Sequence, residues 1–217
     1  MADIEKFELI LHNVGQGLAV SFIEYPSKYV THVDLGAKED YSPLIYLDRE
    51  YHVYPDIIYI THPHADHLSE VERLFYILSA HENVLLHYQD YDWDDVKKRE
   101  KADKRHLIDM FLTVKNKASR GNYQGSCELT SWRYSPENAK SNFGEDSYVN
   151  NSSINIVFKW GAFKIYVGGD LETDAIKKSV SENKFSSSVK GTDLYIAPHH
   201  GHANGFTYDW PNNDLPR

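Results

Sequence analysis

The chain has little cysteine, no excess of positive charge and no long apolar run. Its only cysteine, Cys127, excludes an internal disulfide and fits a reducing compartment. The formal net charge of −9 argues against a broad surface that coats nucleic acid. No apolar run approaches the roughly 20 residues that a membrane helix needs. Residues 1–6 lack the basic start and the apolar core of a secretory signal. We therefore expect a cytoplasmic protein with no membrane partner, in which Cys127 is a small core residue rather than a nucleophile.

The order of apolar and polar segments predicts a single α/β domain. A length of 217 residues and an apolar fraction of 41% are enough for one substantial core. Strands are predicted at residues 7–12, 18–24, 29–34, 56–61, 83–87, 128–134, 153–160, 163–167 and 193–197. Helices are predicted at residues 42–51, 68–78, 92–117 and 172–181, and an exposed polar loop at residues 135–148. Strands in series with helices between them indicate stacked sheets covered by helices.

The most informative segment is the heptad at residues 61–67, which reads Thr-His-Pro-His-Ala-Asp-His. Four of its side chains can bind a metal: His62, His64, Asp66 and His67. The strand predicted before it and the helix predicted after it place these side chains on a strand-to-helix loop, where they can surround two ions. Imidazole and carboxylate suit zinc, manganese or iron. The alternative is a polar loop that holds three histidines by chance.

Five other segments bring polar side chains to glycine-rich corners beside the predicted strands. They are residues 12–17, 33–36, 149–153, 167–170 and 197–202. We expect them to meet the heptad on one rim. The further metal or catalytic candidates that they supply are Asp34, Asn150, Asn151, Asp170, His199 and His200.

The ordered motifs resemble those of the metallo-β-lactamase family over roughly residues 7–205. The order is an Asp after an early strand, H-x-H-x-D-H, a variable third position, Gly-Asp and a late His. The chain is most similar to the ComEC-type domain linked to bacterial DNA uptake. That group carries an early Val-Gly-Gln-Gly turn, an Asn-x-Ser-apolar segment, Gly-Asp and Pro-His-His-Gly. Those motifs stand here at residues 14–17, 151–154, 169–170 and 198–201.

The resemblance implies an αββα sandwich of two mixed sheets, and a hydrolase that uses two divalent ions, Zn²⁺ or Mn²⁺. The ligands it implies are His62 and His64 for the first ion, Asp66, His67 and either His199 or His200 for the second, and Asp170 as a bridge. Asp34 would orient a ligand histidine, as carboxylates behind metal ligands do. Catalytic roles are implied for Asp66, Asp34 and His200.

Two departures from the family pattern bear on these expectations. Many members have a third histidine on the first ion, where this chain has Asn150 or Asn151. An amide oxygen is a harder and weaker ligand than imidazole, so the first site is expected either to bind its ion more loosely or to favour manganese over zinc. The family fold normally continues for a strand, a helix and a strand beyond the late histidine. We therefore expect a fold truncated at the carboxyl end, completed by a protein partner or covered by the tail at residues 208–211.

A basic block accompanies the motifs at residues 97–120, within a helical insertion expected at about residues 92–120. It is either a solvated helix face or a patch that follows a phosphate backbone beside the active site. The leading hypothesis is a nuclease, in which a hydroxide activated by two metals cleaves phosphodiesters. The alternatives are a small-molecule phosphodiesterase or ester hydrolase, and a non-catalytic, metal-stabilised module of a larger defence or toxin assembly.

Overall fold

The structure is a computed structural model that describes residues 5–207. The chain divides into two compact units, of which the first ends at Ser126 and the second begins at Cys127. Each unit contains one mixed β-sheet and several helices. Within the described range, no helix has the length and apolar character needed to cross a bilayer. The tail proposed to cover the edge of the fold, at residues 208–211, lies outside the described residues.

The first unit is built on a six-stranded sheet whose strands follow one another in chain order. They are β1 (Lys6–Leu11), β2 (Val20–Tyr25), β3 (Tyr29–Val33), β4 (Ile57–Tyr59), β5 (Leu85–His87) and β6 (Ser119–Arg120). The first three strands are antiparallel, and the pairs from β3 to β6 are parallel. Every residue of β4 is buried, as expected for an apolar strand between parallel neighbours. The heptad follows this central strand directly.

The helices of the first unit connect and cover the parallel strands. They are α1 (Pro43–Tyr46), which continues as a π-helical turn (Leu47–Tyr51), then α2 (Val71–Ala80), α3 (Trp93–Arg99) and α4 (Arg105–Lys117). Side chains of Ser42 and Asp92 cap the amino ends of α1 and α3. The helix predicted at residues 68–78 is confirmed as α2, and Val71, Leu74 and Leu78 on one of its faces are buried.

The charged stretch at residues 92–117 is two helices, so the expectation of one continuous helical stretch is wrong. Helix α3 ends at Arg99, where Glu100 takes an extended backbone with ψ 149°. The guanidinium of Arg105 donates hydrogen bonds to the carbonyl oxygens of Lys98 and Glu100, at 3.1 Å each. These bonds satisfy carbonyl groups that a continuing helix would have used internally. The break exposes a short connection at residues 100–104.

The second unit contains a four-stranded sheet. Its strands are β7 (Glu128–Trp132), β8 (Asn155–Trp160), β9 (Phe163–Val167) and β10 (Leu194–Ile196). The strand order is β10-β9-β8-β7, with β10 parallel to β9 and the other pairs antiparallel. The strands predicted at residues 153–160 and 163–167 are confirmed and form the β8–β9 hairpin, and Gly161 at its turn has the positive φ of 59° that favours glycine.

The prediction of an exposed loop at residues 135–148 is wrong. Helix α5 (Pro136–Phe143) fills most of it, and α6 (Tyr148–Asn151) follows. The Ser135 hydroxyl accepts the Asn138 N–H at 3.2 Å and caps α5, Pro136 is its first residue, and Gly144 ends it with φ 88°. Proline at a helix start and glycine after its end are helix signals, which the prediction took for loop residues. The remaining helices are α7 (Thr173–Val180), as predicted, and α8 (Asn183–Val189).

Candidate metal centre

The heptad occupies the loop between β4 and α2, as predicted. Its backbone runs out of the sheet and then forms a 3₁₀ turn over Ala65–His67. His62 and His67 are buried, with 1% and 0% of their surface exposed. His64 and Asp66 are half-buried and line a cavity at the surface of the unit. The loop therefore presents two of its four candidate ligands to solvent and holds the other two inside.

The three imidazoles of the heptad form one cluster. The ring centroid of His62 lies 4.7 Å from that of His64 and 4.1 Å from that of His67. Nε2 of His62 lies 3.1 Å from Nδ1 of His64. Two nitrogens bound to one tetrahedral zinc lie about 3.3 Å apart, given Zn–N bonds of about 2.0–2.1 Å. The spacing and the chemistry of His62 and His64 therefore fit one shared divalent cation.

Asp34 supports the cluster through hydrogen bonds to Thr61 and His67. It follows β3 with φ 59°, and its side chain is fully buried. Its carboxylate accepts hydrogen bonds from the Thr61 N–H at 2.7 Å, the Thr61 hydroxyl at 2.6 Å and Nδ1 of His67 at 2.7 Å. Burial raises the pKa of Asp34, and the contacts with His67 and Thr61 oppose that rise. With Nδ1–H donated to Asp34, Nε2 of His67 carries the lone pair that can bind a metal.

The glycine turn at residues 14–17 packs directly against the heptad. Gly17 has φ 115°, and a Cβ built on it would lie 2.4 Å from the backbone oxygen of Asp66. No side chain fits at that distance, so only glycine lets the turn approach Asp66 this closely.

The cavity beside the heptad has a volume of about 430 Å³ and lies wholly within the first unit. His64 and Asp66 line one part of it, and Arg99, Lys101 and Lys104 line another. A cavity with candidate metal ligands and several cationic side chains suits an anionic ligand. The basic block predicted from the sequence thus contributes to this cavity through the connection between α3 and α4.

Sequence reasoning missed Glu100, which ties that connection to the heptad. Its Oε2 accepts the backbone N–H of Ala65 at 3.1 Å, and its Oε1 accepts the N–H of Lys101 at 2.9 Å. Glu100 lies within a run of charged residues, and nothing in its neighbours along the chain distinguishes it. Only the fold shows that this carboxylate positions the residue next to Asp66.

In the second unit, the structure brings Asp170 and His200 together. The Asp170 side chain is 5% exposed, and its Oδ2 lies 3.3 Å from Nε2 of His200. The backbone N–H of Asp170 donates to the Ser153 hydroxyl at 3.1 Å. His199 and His200 have φ of 51° and 54°, a conformation that L residues seldom adopt and that clusters at functional sites. Within this unit, His200 rather than His199 pairs with the predicted bridging carboxylate.

The two adjacent asparagines have different surroundings. The amide oxygen of Asn151 accepts the backbone N–H of Glu172 at 3.0 Å. Asn150 donates through its nitrogen to the Glu172 carboxylate at 3.0 Å, and its oxygen is buried without a hydrogen-bond partner among residues 5–207. A buried carbonyl oxygen without a donor costs free energy unless it meets a ligand. Asn150 is therefore the better candidate for an oxygen ligand, and Glu172, which sequence reasoning missed, orients both amides.

The fold has known counterparts. No protein-family model matches the chain, and no curated protein matches it in sequence. A crystal structure of a candidate metallo-β-lactamase from Thermotoga maritima is similar, with a TM-score of 0.50 and 12% identity, over 89% of this chain and 96% of that one. The fold is that of the metallo-β-lactamases. A candidate metal-dependent hydrolase from Parabacteroides distasonis matches with a TM-score of 0.37 and 14% identity, over 90% of this chain and 84% of that one.

The Thermotoga maritima structure confirms the predicted fold class. A mixed α/β chain with two mixed sheets is what the motif order implied, and the Thermotoga maritima structure spans nearly all of it. At 12% identity the likeness shows the fold and nothing about the substrate. The resemblance to the ComEC-type subgroup stays a prediction from the motifs.

Proposed function

We propose that the protein is a metal-dependent hydrolase that cleaves phosphodiesters, with nucleic acid as its substrate. The observation that carries the proposal is the imidazole cluster of His62, His64 and His67 beside a cavity lined by cationic side chains. Clustered imidazoles favour a divalent cation, and the cations favour an anionic substrate. The motif order of the metallo-β-lactamase family supports hydrolysis as the reaction.

The ligand assignment follows the family motifs and the contacts within each unit. His62 and His64 would hold one ion, and Asp66, His67 and His200 the other. Asp170 would bridge the two ions, and Asn150 would add an amide oxygen to the first. His200 and Asn150 are chosen over their neighbours because His200 lies beside Asp170 and the Asn150 oxygen is buried without a donor.

The residues named here would position the metal ligands, and the bound ions would activate the water. When bound, divalent ions lower the pKa of a coordinated water towards neutrality and offset charge on phosphoryl oxygens. Asp34 fixes the tautomer of His67 and the direction of its ring. Gly17 and Glu100 hold the backbone on either side of Asp66 and so fix where its carboxylate stands.

Cleavage assays with defined metal content test the proposal. The purified protein is loaded with Mn²⁺ or Zn²⁺, its metal content is measured by elemental analysis, and it is incubated with single-stranded DNA, double-stranded DNA and RNA. We expect His64→Ala and Asp170→Ala to abolish cleavage, whereas His106→Ala, an exposed histidine on α4, retains it. No cleavage by protein with bound metal contradicts the function, and full cleavage by both site variants contradicts the site.

The size of the cavity favours a second candidate, a small-molecule phosphodiesterase or ester hydrolase. A volume of about 430 Å³ lies within the range of small-molecule sites, which is about 300–1,000 Å³. This function predicts turnover of bis-p-nitrophenyl phosphate with no cleavage of polymers. Turnover of the small phosphodiester together with polymer cleavage favours the nuclease.

A further inference from the structure

Most of the basic block supports the structure of the first unit. Nζ of Lys97 lies 2.5 Å from Oδ1 of Asp109, and Asp90 pairs with Lys115 and Arg120 at 2.7 Å each. The guanidinium of Arg105 caps the end of α3, as described above. These cations are held by partners within the unit, which is the outcome expected for a solvated helix face.

Lys101 and Lys104 differ from the rest of the block. Both are exposed, both line the cavity beside the heptad, and neither has a side-chain ion pair or hydrogen bond among the described residues. The Lys104 N–H donates to the Lys101 carbonyl oxygen at 2.9 Å, so one turn presents both ammonium groups. We call this pair of lysines the lysine wall.

The Glu100 carboxylate lowers but does not cancel the charge of the lysine wall, because its one negative charge stands against two positive charges and, within residues 5–207, it makes no ion pair with either lysine. Both oxygens of Glu100 accept backbone N–H groups, from Ala65 and Lys101. Asp66 is a predicted metal ligand, so a bound cation would offset its negative charge. The lysine wall therefore retains positive charge that is available to an anion in the cavity.

The lysine wall has a fixed position relative to the heptad. Glu100 binds the N–H of Ala65, the residue before Asp66, and Arg105 binds carbonyl oxygens on the other side of the connection. The two lysines lie between these anchors. The connection between α3 and α4 thus places two cations in the cavity that His64 and Asp66 also line.

We propose that Lys101 and Lys104 bind a phosphate that flanks the scissile phosphodiester. This inference rests on the proposed function, because it assumes that the reacting phosphate lies at the heptad. It narrows the substrate to a strand that carries more than one phosphate, since a compound with a single phosphodiester has nothing to place at the lysine wall. Contacts of this kind strengthen binding to nucleic acid without reading its sequence.

Removal of the two charges tests the inference. In Lys101→Gln/Lys104→Gln we expect the KM for an oligonucleotide to rise about ten-fold with kcat unchanged, since the lost contacts bind without reacting. Turnover of bis-p-nitrophenyl phosphate should not change. The control, Lys28→Gln/Lys184→Gln, removes the same charge at two exposed lysines that do not line the cavity. An equal rise of KM in both double variants contradicts the inference.

A binding measurement separates this inference from the proposed function. Fluorescence anisotropy with a labelled single-stranded oligonucleotide and metal-free protein follows affinity as salt rises. The slope of log K against log salt should become shallower by about 0.7 for each lost phosphate contact, and Lys101→Arg/Lys104→Arg should restore it. An unchanged slope in Lys101→Gln/Lys104→Gln contradicts phosphate binding by the lysine wall, even if the enzyme cleaves nucleic acid. A shallower slope in that variant supports phosphate binding by the lysine wall. If the unchanged, metal-loaded protein nevertheless cleaves no substrate, the proposed hydrolase function is contradicted.

Discussion

Asp34→Asn keeps the shape of a buried side chain and removes the negative charge of a carboxylate that accepts three hydrogen bonds. The carboxylate lies 2.7 Å from the Thr61 N–H nitrogen, 2.6 Å from the Thr61 hydroxyl and 2.7 Å from Nδ1 of His67. An asparagine offers one carbonyl oxygen, and its NH₂ group must face a partner that is itself a donor. The substitution therefore forces either His67 into its other tautomer or one buried donor to go without an acceptor.

Asp34→Asn has two opposing effects on the free energy of unfolding. An unsatisfied buried donor costs about 1–3 kcal/mol, and hydrogen bonds to a charged acceptor contribute about 1.5–3 kcal/mol. Because burial raises the pKa of Asp34, removal of the charge also relieves part of its desolvation penalty. We expect the free energy of unfolding of the metal-free protein to fall by about 2 kcal/mol. Metal affinity should fall about 10–100-fold, as when the carboxylate behind a ligand histidine is removed.

Urea unfolding of the metal-free protein measures the first quantity, and competition with a metal-binding dye measures the second. Asp56→Asn is the matched control, because the Asp56 carboxylate accepts the Val30 N–H at 2.7 Å and belongs to an exposed residue outside the heptad. The control should keep the metal affinity of the unchanged protein. Equal metal affinity in Asp34→Asn and Asp56→Asn would refute the argument that Asp34 orients His67.

Three further changes test the local arguments. Burial lowers the pKa of His12 to about 4, so the unfolded chain binds a proton that the folded chain does not. The His12 contribution should therefore lower stability by about 2 kcal/mol from pH 7 to pH 5. In urea unfolding, His12→Gln should remove that share of the dependence and leave the share of the buried His32, whose pKa burial also lowers. Ser135→Ala removes the cap of α5 and should lower the free energy of unfolding by about 1 kcal/mol. Gly17→Ala drives a Cβ against Asp66, and should lower the thermal midpoint and weaken metal binding.

Two of these changes have a matched control, and the third has an outcome that would contradict it. For α5 the control is Ser141→Ala, an exposed serine within the same helix, which should not destabilise it. For the turn it is Gly15→Ala, which has φ 75° and nothing within 4 Å of the new Cβ. If Gly15→Ala weakens metal binding as much as Gly17→Ala, the close approach to Asp66 is not the cause. If His12→Gln keeps the full pH dependence, another group is responsible for it.

Local patterns carried most of the element predictions and also caused the error at residues 135–148. β-Branched runs indicated β4, and helical spacing of apolar residues indicated α2, because burial of one face or both leaves a periodic signal. At residues 135–148 the apolar signal is weak, and a capping serine, a proline and a glycine were taken for a loop. The correct interpretation needed the burial of Ala139 and Tyr148, which the polar composition of the segment conceals.

The candidate ligands were recognised from motifs, but the choice between neighbours was not. His199 and His200 are equivalent in sequence, and so are Asn150 and Asn151. The contact between Asp170 and His200, and the use of the Asn151 oxygen by Glu172, distinguish them. Such contacts join residues twenty or more positions apart, a separation at which residue spacing carries no information.

The sequence by itself determined that imidazoles and carboxylates follow the ends of apolar strands, because donor type and strand pattern are local properties of the chain. Only the tertiary structure decided which of those donors form hydrogen bonds with other residues. It also decided which lysines of the basic block are without an ion pair among the described residues. Those outcomes depend on partners such as Ala65 for Glu100 and Asp90 for Lys115, which the fold brings together from distant parts of the chain. Hydrogen bonds and ion pairs are short-ranged, so their assignment waits on the positions of folded atoms.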